Sequence, residues 1–590
     1  MKKIFDYQKI KNLDPRNILL INIVLFGLVF VLNSMIRFEN QVLSCSFWLL
    51  CEGQAISQYQ TIFNFQTFFA ILGLGSVIYL IFQKEIAKFV KARKAMYSIL
   101  VIISIILVTN GLFAILPSTI RVLMQILLSL IVSLMLTFIY VETTHNINDH
   151  YQKNRLHNKI RLLTISSLMM VTLGVITSIT QSSLVCNQFP LCFSQNGFRV
   201  ENLLINLHRI LTLLTGLILL SAFDLTWRKY REKLSMMIPI TFSFSIFMGQ
   251  SLVGAIQIFK NFDLNLLFIH SISSFAYMLS IVFVYRKSAF IQESDNEYKL
   301  TFFNDSQRRK DYLILNKPII VALLLVTTYA GMVVGGEKIP PFSLSFWTMI
   351  GGALAAGGAS AINQFIDRKI DLSMQRTAKR PLPAGRLYPA EALALGIAEI
   401  IFSFYIFTAF VNFNAALLAM AGMVYYVIIY SKWLKHATVQ NIVIGGGAGA
   451  IPPLVGWAAA TGGLNVPSIF LFALVFLWTP PHFWALALVR KKDYARANVP
   501  MMPVIMGEKK TRFQILIYTI QLVLLTLLMP LFGIGGGVYF ILAVVLGLWL
   551  LSTAWQVYRK SGNKIAFKMY RYSSMYLAFI FLALVVDVLL

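Results

Sequence analysis

The chain has 590 residues, 58% of them hydrophobic and only 13% charged, with a formal net charge of +27. A charged share about half the usual ~25% excludes an ordinary soluble domain. The cations are spread over many short loops and not gathered on one polar domain, which argues against a nucleic-acid surface.

In chain order, apolar runs recur from end to end. Each is about 20 residues long, the length a helix needs to cross about 30 Å of hydrocarbon, and no ten-residue alternation suggests a barrel. The expected fold is an all-α polytopic membrane protein with about seventeen spans, near 17–36, 63–82, 97–116, 121–140, 161–180, 203–222, 236–258, 265–285, 316–335, 344–363, 389–410, 414–430, 438–457, 467–488, 513–532, 536–555 and 571–590. The first run lacks a small-residue cleavage site and reads as an anchor.

Every second loop is basic: 84–94, 145–161, 227–233, 286–317, 367–386, 432–436, 490–512 and 559–568, in phase with the basic start 1–17. By the positive-inside rule these loops and the N-terminus face the cytoplasm, in the inner (cytoplasmic) membrane. The longest polar stretch, 286–317, divides eight spans from nine. The expected domains are 1–290, a cytoplasmic linker 291–315, and 316–590. Oligomeric state stays open, a homo-oligomer included.

The first half carries an internal repeat. Cys45 and Cys51 lie six apart in one outer loop, and Cys186 and Cys192 lie six apart in another, 141 positions on. In an oxidising setting each pair could close a small disulfide loop, against the alternatives of four thiols or a metal site. His208 and His270 sit at similar depth in the sixth and eighth spans. A lone intramembrane His is more often a packed residue, but two facing imidazoles in a bundle are what a six-coordinate haem iron needs, so haem b is the expected cofactor.

The stretch Arg37–Gly53, the run Cys186-Asn-Gln-Phe-Pro-Leu-Cys192, His208-Arg209 and His270 resemble haem A synthase over roughly 1–290. That family oxidises a methyl group of haem O, and the resemblance implies two four-helix repeats with a His pair in each. Here Gln66 and Gln125 occupy the first-repeat positions, 142 and 145 residues before the two histidines. Glutamine is a poor iron ligand. Three readings stay open: one haem held without oxidation, a substrate haem held loosely, or a degenerate partner domain.

In the second half, Asn363, Asp367 and Asp371 are spaced by four, which puts them on one helix face at successive turns where a span reaches the cytoplasm. Stacked carboxylates need a cation between them, and oxygen ligands completed by water and diphosphate are the usual surroundings of magnesium. Arg368, Arg376, Lys379 and Arg380 follow, able to clamp phosphate oxygens. A bland orienting loop would explain the cations but not the ladder.

A second loop on the same face carries Asp493, a candidate for the same or a second magnesium, with Lys509 and Lys510 as further phosphate partners. Between the two loops, Gly445 to Gly456 reads either as a phosphate loop or, better, as close helix packing around a flat or long apolar ligand. His482 is a candidate ligand to a substrate haem or a packed core residue.

The run Asn363-x3-Asp367-x3-Asp371 continuing into Arg376-Thr-x-x-Arg380-Pro-Leu-Pro resembles the intramembrane aromatic prenyltransferases. Asn441-Ile-Val-Ile-Gly-Gly, Pro452-Pro-Leu-Val-Gly-Trp, Pro480-Pro-His-Phe-Trp-Ala-Leu-Ala and Asp493-Tyr-x-x-Ala-x-x-Pro-Met-Met-Pro narrow the likeness to the haem O synthase branch, over roughly 305–590. The usual Thr-Pro before the Asn is replaced by Ala437-Thr438-Val439. The resemblance implies a nine-helix bundle, magnesium and farnesyl diphosphate at its cytoplasmic mouth, and farnesyl transfer to the vinyl group of haem B. A transporter would show paired broken spans at mid-membrane, and a quinone-type acceptor would not call for the haem-branch motifs.

Overall fold

The computed structural model describes residues 14–38, 57–83, 86, 90–111, 118–144, 154–180, 182, 188–193, 199–291 and 305–590. Every regular element among them is helical, as the recurring apolar runs require. Among the described residues fifteen helices are long and apolar enough to cross a membrane, making this a multi-pass membrane protein. Ser57–Ile81 and Val90–Gly111 stand at the other two of the seventeen expected positions. The chain forms two compact units, Met1–Tyr298 and Lys299–Leu590.

In the first unit, α1 (Pro15–Phe38), α2 (Ser57–Ile81), α3 (Val90–Gly111) and α4 (Ser118–Thr143) pack as one four-helix bundle. A second bundle consists of α5 (Arg155–Ile179), α6 (Val200–Tyr230), α7 (Leu234–Phe259) and α8 (Leu264–Ser288), with α8 leaning on α1 and α4. Local chemistry sets the helix starts: the Asn154 side chain accepts from the His157 amide at 2.7 Å, and Asp263 caps α8 through the amides of Asn265 and Leu266.

The second unit begins with a polar helix, α9 (Ser306–Leu315), then α10 (Pro318–Gly336), α11 (Phe342–Asp371), α12 (Pro389–Ile406) and α13 (Phe413–Val424). A π-helix (Tyr425–Leu434) and a short strap, 435–440, lead to the short α14 (Asn441–Gly445) and α15 (Gly447–Thr461), followed by α16 (Val466–Val489), α17 (Lys491–Arg496), α18 (Met502–Ile505), α19 (Gly507–Leu528), α20 (Gly537–Arg559) and α21 (Asn563–Leu589). The long helices pack in sequence, α10 against α11 and onward to α21, and α21 returns to α10 and so closes a ring. Two ion pairs pin α9: Arg386, in the loop after α11, meets Asp311 through two 2.9 Å contacts, and Arg308 pairs with Glu391 in the first turn of α12.

Cys45, Cys51, Cys186 and most of the 291–315 linker lie outside the described residues. Cys192 is disulfide-bonded, and its backbone is fixed by Asn206, which accepts from the Cys192 amide at 2.7 Å and donates to its carbonyl at 2.8 Å.

Candidate active site

The last three turns of α11 carry the acidic ladder inward. Asn363, Asp367 and Asp371 are 4%, 2% and 3% exposed, so their polar atoms must find partners within the protein. Asn363 ties the ladder together, donating to Asp367 Oδ2 at 2.9 Å and to Ser431 Oγ at 3.0 Å, while its own oxygen accepts from Lys317 Nζ at 2.9 Å. Lys435 Nζ stands 2.5 Å from Asp367 Oδ2, and Arg380 Nη1 stands 2.7 Å from Asp371 Oδ2. The other oxygen of Asp367 is buried and meets no donor.

The partners arrive by a local irregularity. After α13 the chain runs as a π-helix over Tyr425–Leu434, a geometry common at functional sites because it re-aims side chains. It brings Ser431, whose hydroxyl bonds back to the Tyr426 carbonyl five residues earlier at 2.8 Å, and Tyr426, 3.4 Å from Lys317 Nζ, to the ladder. Lys317 ends the loop before α10. Burial pushes its ammonium down to about 8, assisted by Arg380 and opposed by Asp367 and Asp371.

Of the sequence-predicted cations, Arg380 alone pairs with a ladder carboxylate. Arg376 is near enough to act electrostatically on both Lys317 and Tyr494, so the loop bearing Asp493 faces the loop after α11. Arg368 turns back on its own helix, donating to the Phe365 carbonyl at 2.5 Å and lying 4.3 Å over the Phe365 ring. Lys379, Lys509 and Lys510 are exposed, and Lys510 also stands at a separate cavity with Gln514 and Trp484. Asp493 has Arg490 at 3.9 Å. Among the described residues no three His, Cys, Asp or Glu side chains gather tightly enough to cage a metal alone.

Lys317, Tyr426, Ser431 and Lys435 were not among the expected site residues. The two lysines stood in basic loops read only as orientation signals. His482 is packed, with Nδ1 2.9 Å from Ser573 Oγ and ring centroids 4.3 Å from Trp478 and 4.5 Å from Tyr570.

In the first unit the two histidines are mounted alike. His208 Nδ1 lies 3.2 Å from the Met170 carbonyl and His270 Nδ1 lies 3.0 Å from the Gln250 carbonyl. A ring nitrogen facing a carbonyl must carry the proton, so Nε2 holds the lone pair on each ring. Each ring also lies over a glycine: a Cβ on Gly174 would be 2.8 Å from His208 Cε1, and one on Gly254 would be 3.1 Å from His270 Cε1. Gln66, at the position matching His208, is 1% exposed, and neither of its amide atoms has a partner among the described residues. Gln125 is buried as well.

A family model described as the UbiA prenyltransferase family matches residues 324–582. Over 278 residues the chain is 50% identical to the protoheme IX farnesyltransferase of Roseiflexus sp. (strain RS-1), covering 47% of this chain and 52% of that one. The chain thus spans about half the length of that relative. It is 50% identical over 281 residues to the protoheme IX farnesyltransferase of Symbiobacterium thermophilum, covering 47% of this chain and 94% of that one. A solved digeranylgeranylglyceryl phosphate synthase is similar at 19% identity and a TM-score of 0.42, over 48% of this chain and 99% of that one.

Proposed function

The chain belongs to the UbiA prenyltransferase family, and from that premise we propose that its C-terminal half, 316–590, transfers the farnesyl chain of farnesyl diphosphate to protohaem IX, giving haem O. The observation that carries the reading is the buried ladder, with a carboxylate oxygen on Asp367 left unbonded at the centre of a cluster of cations. Relatives that are half identical bear the name of that activity.

The donor set suits magnesium. Asn363, Asp367 and Asp371 offer hard oxygens, and the unbonded Asp367 oxygen is an open ligand position, with water and diphosphate completing the shell. Bound there with Asp493, the ion would supply positive charge to the leaving diphosphate. The chain's own cations act on the same charge. Lys317, Lys435 and Arg380 are fixed by hydrogen bonds before substrate arrives, so little reorganisation remains when the allylic C–O bond breaks. Arg376 faces the same mouth. The surrounding apolar helices keep water off the allylic cation. A vinyl carbon of haem then forms the new C–C bond, and water adds to the resulting cation with loss of a proton.

The N-terminal half, 1–290, is a haem-binding unit of haem A synthase type in this reading, with His208 and His270 as the two ligands to one haem b and Gln66 and Gln125 leaving the first repeat without iron ligands. Oxidation of haem O to haem A is the second activity such a fusion implies. The charge bias supports a cytoplasmic N-terminus and a cytoplasmic prenyl-transfer mouth.

The test is pigment analysis of membranes expressing the intact chain or the Asp367→Ala variant, separating haems B, O and A by chromatography. The intact chain should convert haem B and the variant should not. Failure of the intact chain to lengthen any porphyrin, given farnesyl diphosphate and magnesium, would overturn the reading.

A further inference from the structure

A second cavity opens on the far side of the strap that follows α13. It encloses about 420 Å³ between that strap, α16, α18 and α19. Lys435 on the strap reaches Asp367, whereas Thr438 and Gln440 on the same strap line the cavity. Three residues of extended chain span at most about 10 Å, so the cavity and the ladder are neighbours divided by one strand of backbone.

The lining is one-sided in its chemistry. Lys510, Trp484, Gln514 and Gln440 can all donate hydrogen bonds, and no carboxylate faces them. Trp484 is 1% exposed, and its indole N–H is a buried donor without an acceptor among the described residues. Tyr518 meets the Trp484 ring edge-on at 5.3 Å, and the thioethers of Met502 and Met506 complete an apolar wall. The site therefore suits a flat apolar body with an anionic oxygen at its edge. Two of its walls come from segments the ladder does not use, the Pro480-Pro-His-Phe-Trp484 run and the Pro500-Met-Met-Pro503 run, and the third is the strap before Asn441 that also carries Lys435 to Asp367.

Resting on the prenyl-transfer reading above, we propose that this cavity seats the propionate edge of the tetrapyrrole acceptor, with Lys510, Gln514 and the Trp484 indole binding a carboxylate while the vinyl edge extends past the strap toward the ladder. Lys510 is thereby an acceptor-binding residue and not a diphosphate clamp.

The test uses the full chain in phosphatidylcholine nanodiscs and protoporphyrin IX, which has no iron for His208 and His270 to ligate, followed by porphyrin fluorescence. Loss of a charge-assisted and a neutral hydrogen bond should weaken binding about tenfold or more in Lys510→Ala with Gln514→Leu, and about threefold in Trp484→Phe, which keeps the ring. Lys510→Arg should bind within about twofold of wild type, and the dimethyl ester should bind every form as weakly as the acid binds the double variant. In turnover, KM for haem should rise by the same factor in the double variant, with kcat and KM for farnesyl diphosphate unmoved.

Unchanged porphyrin affinity in the double variant overturns the proposal, as does a rise in KM for the diphosphate in place of haem. Loss of binding on adding phosphatidylglycerol would give the cavity to a lipid headgroup and overturn it too. Lys510-dependent porphyrin binding without any farnesylation would uphold this site and refute the prenyl-transfer reading; farnesylation with unchanged KM values in the double variant would do the reverse.

Discussion

Asp367 is surrounded by donors yet only one of its oxygens is bonded. Replacing it by Asn keeps the shape but removes the charge that faces Lys435 and lies near Lys317, and it weakens the ladder as an oxygen donor set. Because such fixed charges act mainly where charge develops, the Asp367→Asn variant should form haem O at least about 100-fold more slowly. The measurement is the initial rate with saturating farnesyl diphosphate; a rate within about threefold of wild type would refute the assignment. The ladder itself was legible, because a spacing of four residues fixes one helix face. Its counterions were not. Lys317 and Lys435 come from loops 46 and 68 residues away, and nothing in a basic loop tells a cation that orients a span from one that pairs with a buried carboxylate.

At the scale of elements, the close approach of α10 and α15 fixes the ring beside the site. A Cβ on Gly456 would collide with the Thr328 carbonyl, and one on Gly331 with the Pro453 carbonyl. These are backbone contacts, which cannot move aside as a flexible side chain could. Gly456→Ala should therefore destabilise by roughly 1–3 kcal/mol or more, as overpacking does, seen as a lower thermal midpoint of the detergent-solubilised protein. Gly449, in the same helix, has open space around it. Gly449→Ala should be neutral or should stabilise by about 0.5–1 kcal/mol; equal damage from both changes would refute the packing argument. The glycine-rich run reads as close helix packing, and the structure shows that packing at Gly456, where it crosses Thr328 of α10; the partner glycine at the same crossing, Gly331, lies outside the run, and glycine spacing does not point to it.

A further element-scale expectation concerns α12, whose start is held by one side chain. Glu391 accepts from the Tyr388 amide at 3.1 Å and pairs with Arg308 of α9. The carboxylate is fully buried, so Glu391→Ala strands Arg308 and uncaps the helix together. Breaking a buried pair from one side costs about 3–5 kcal/mol, enough to reduce accumulation in membranes visibly on an immunoblot. Glu391→Gln, which keeps an oxygen acceptor for the cap, should accumulate better; equal levels of the two variants would refute the double role.

Across the whole molecule, the helical class was readable because hydrocarbon thickness sets the length of each apolar run. In the first half the sequence suggests a repeat through its cysteine pairs, and three of those cysteines, Cys45, Cys51 and Cys186, lie outside the described residues. The mounting of His208 and His270 was not readable, since the Met170 and Gln250 carbonyls and the underlying Gly174 and Gly254 carry no pattern that singles them out. That mounting leads to the last expectation. With Nδ1 bonded to a carbonyl on each ring, both Nε2 atoms are set up as ligands, and the His208→Ala, His270→Ala double variant should lose the spectrum of a bis-histidine low-spin haem while haem O formation stays within about twofold, because the transferase residues are carried by the other unit. Two consecutive activities on one chain would raise the effective concentration of an insoluble intermediate at the second site. If the first unit oxidises what the second makes, the intact chain supplied with haem B and farnesyl diphosphate should yield haem A and the double variant should stop at haem O. If intact chain and variant both accumulate only haem O, the first unit holds haem without oxidising it; and if the variant keeps the low-spin spectrum, His208 and His270 are not the ligands.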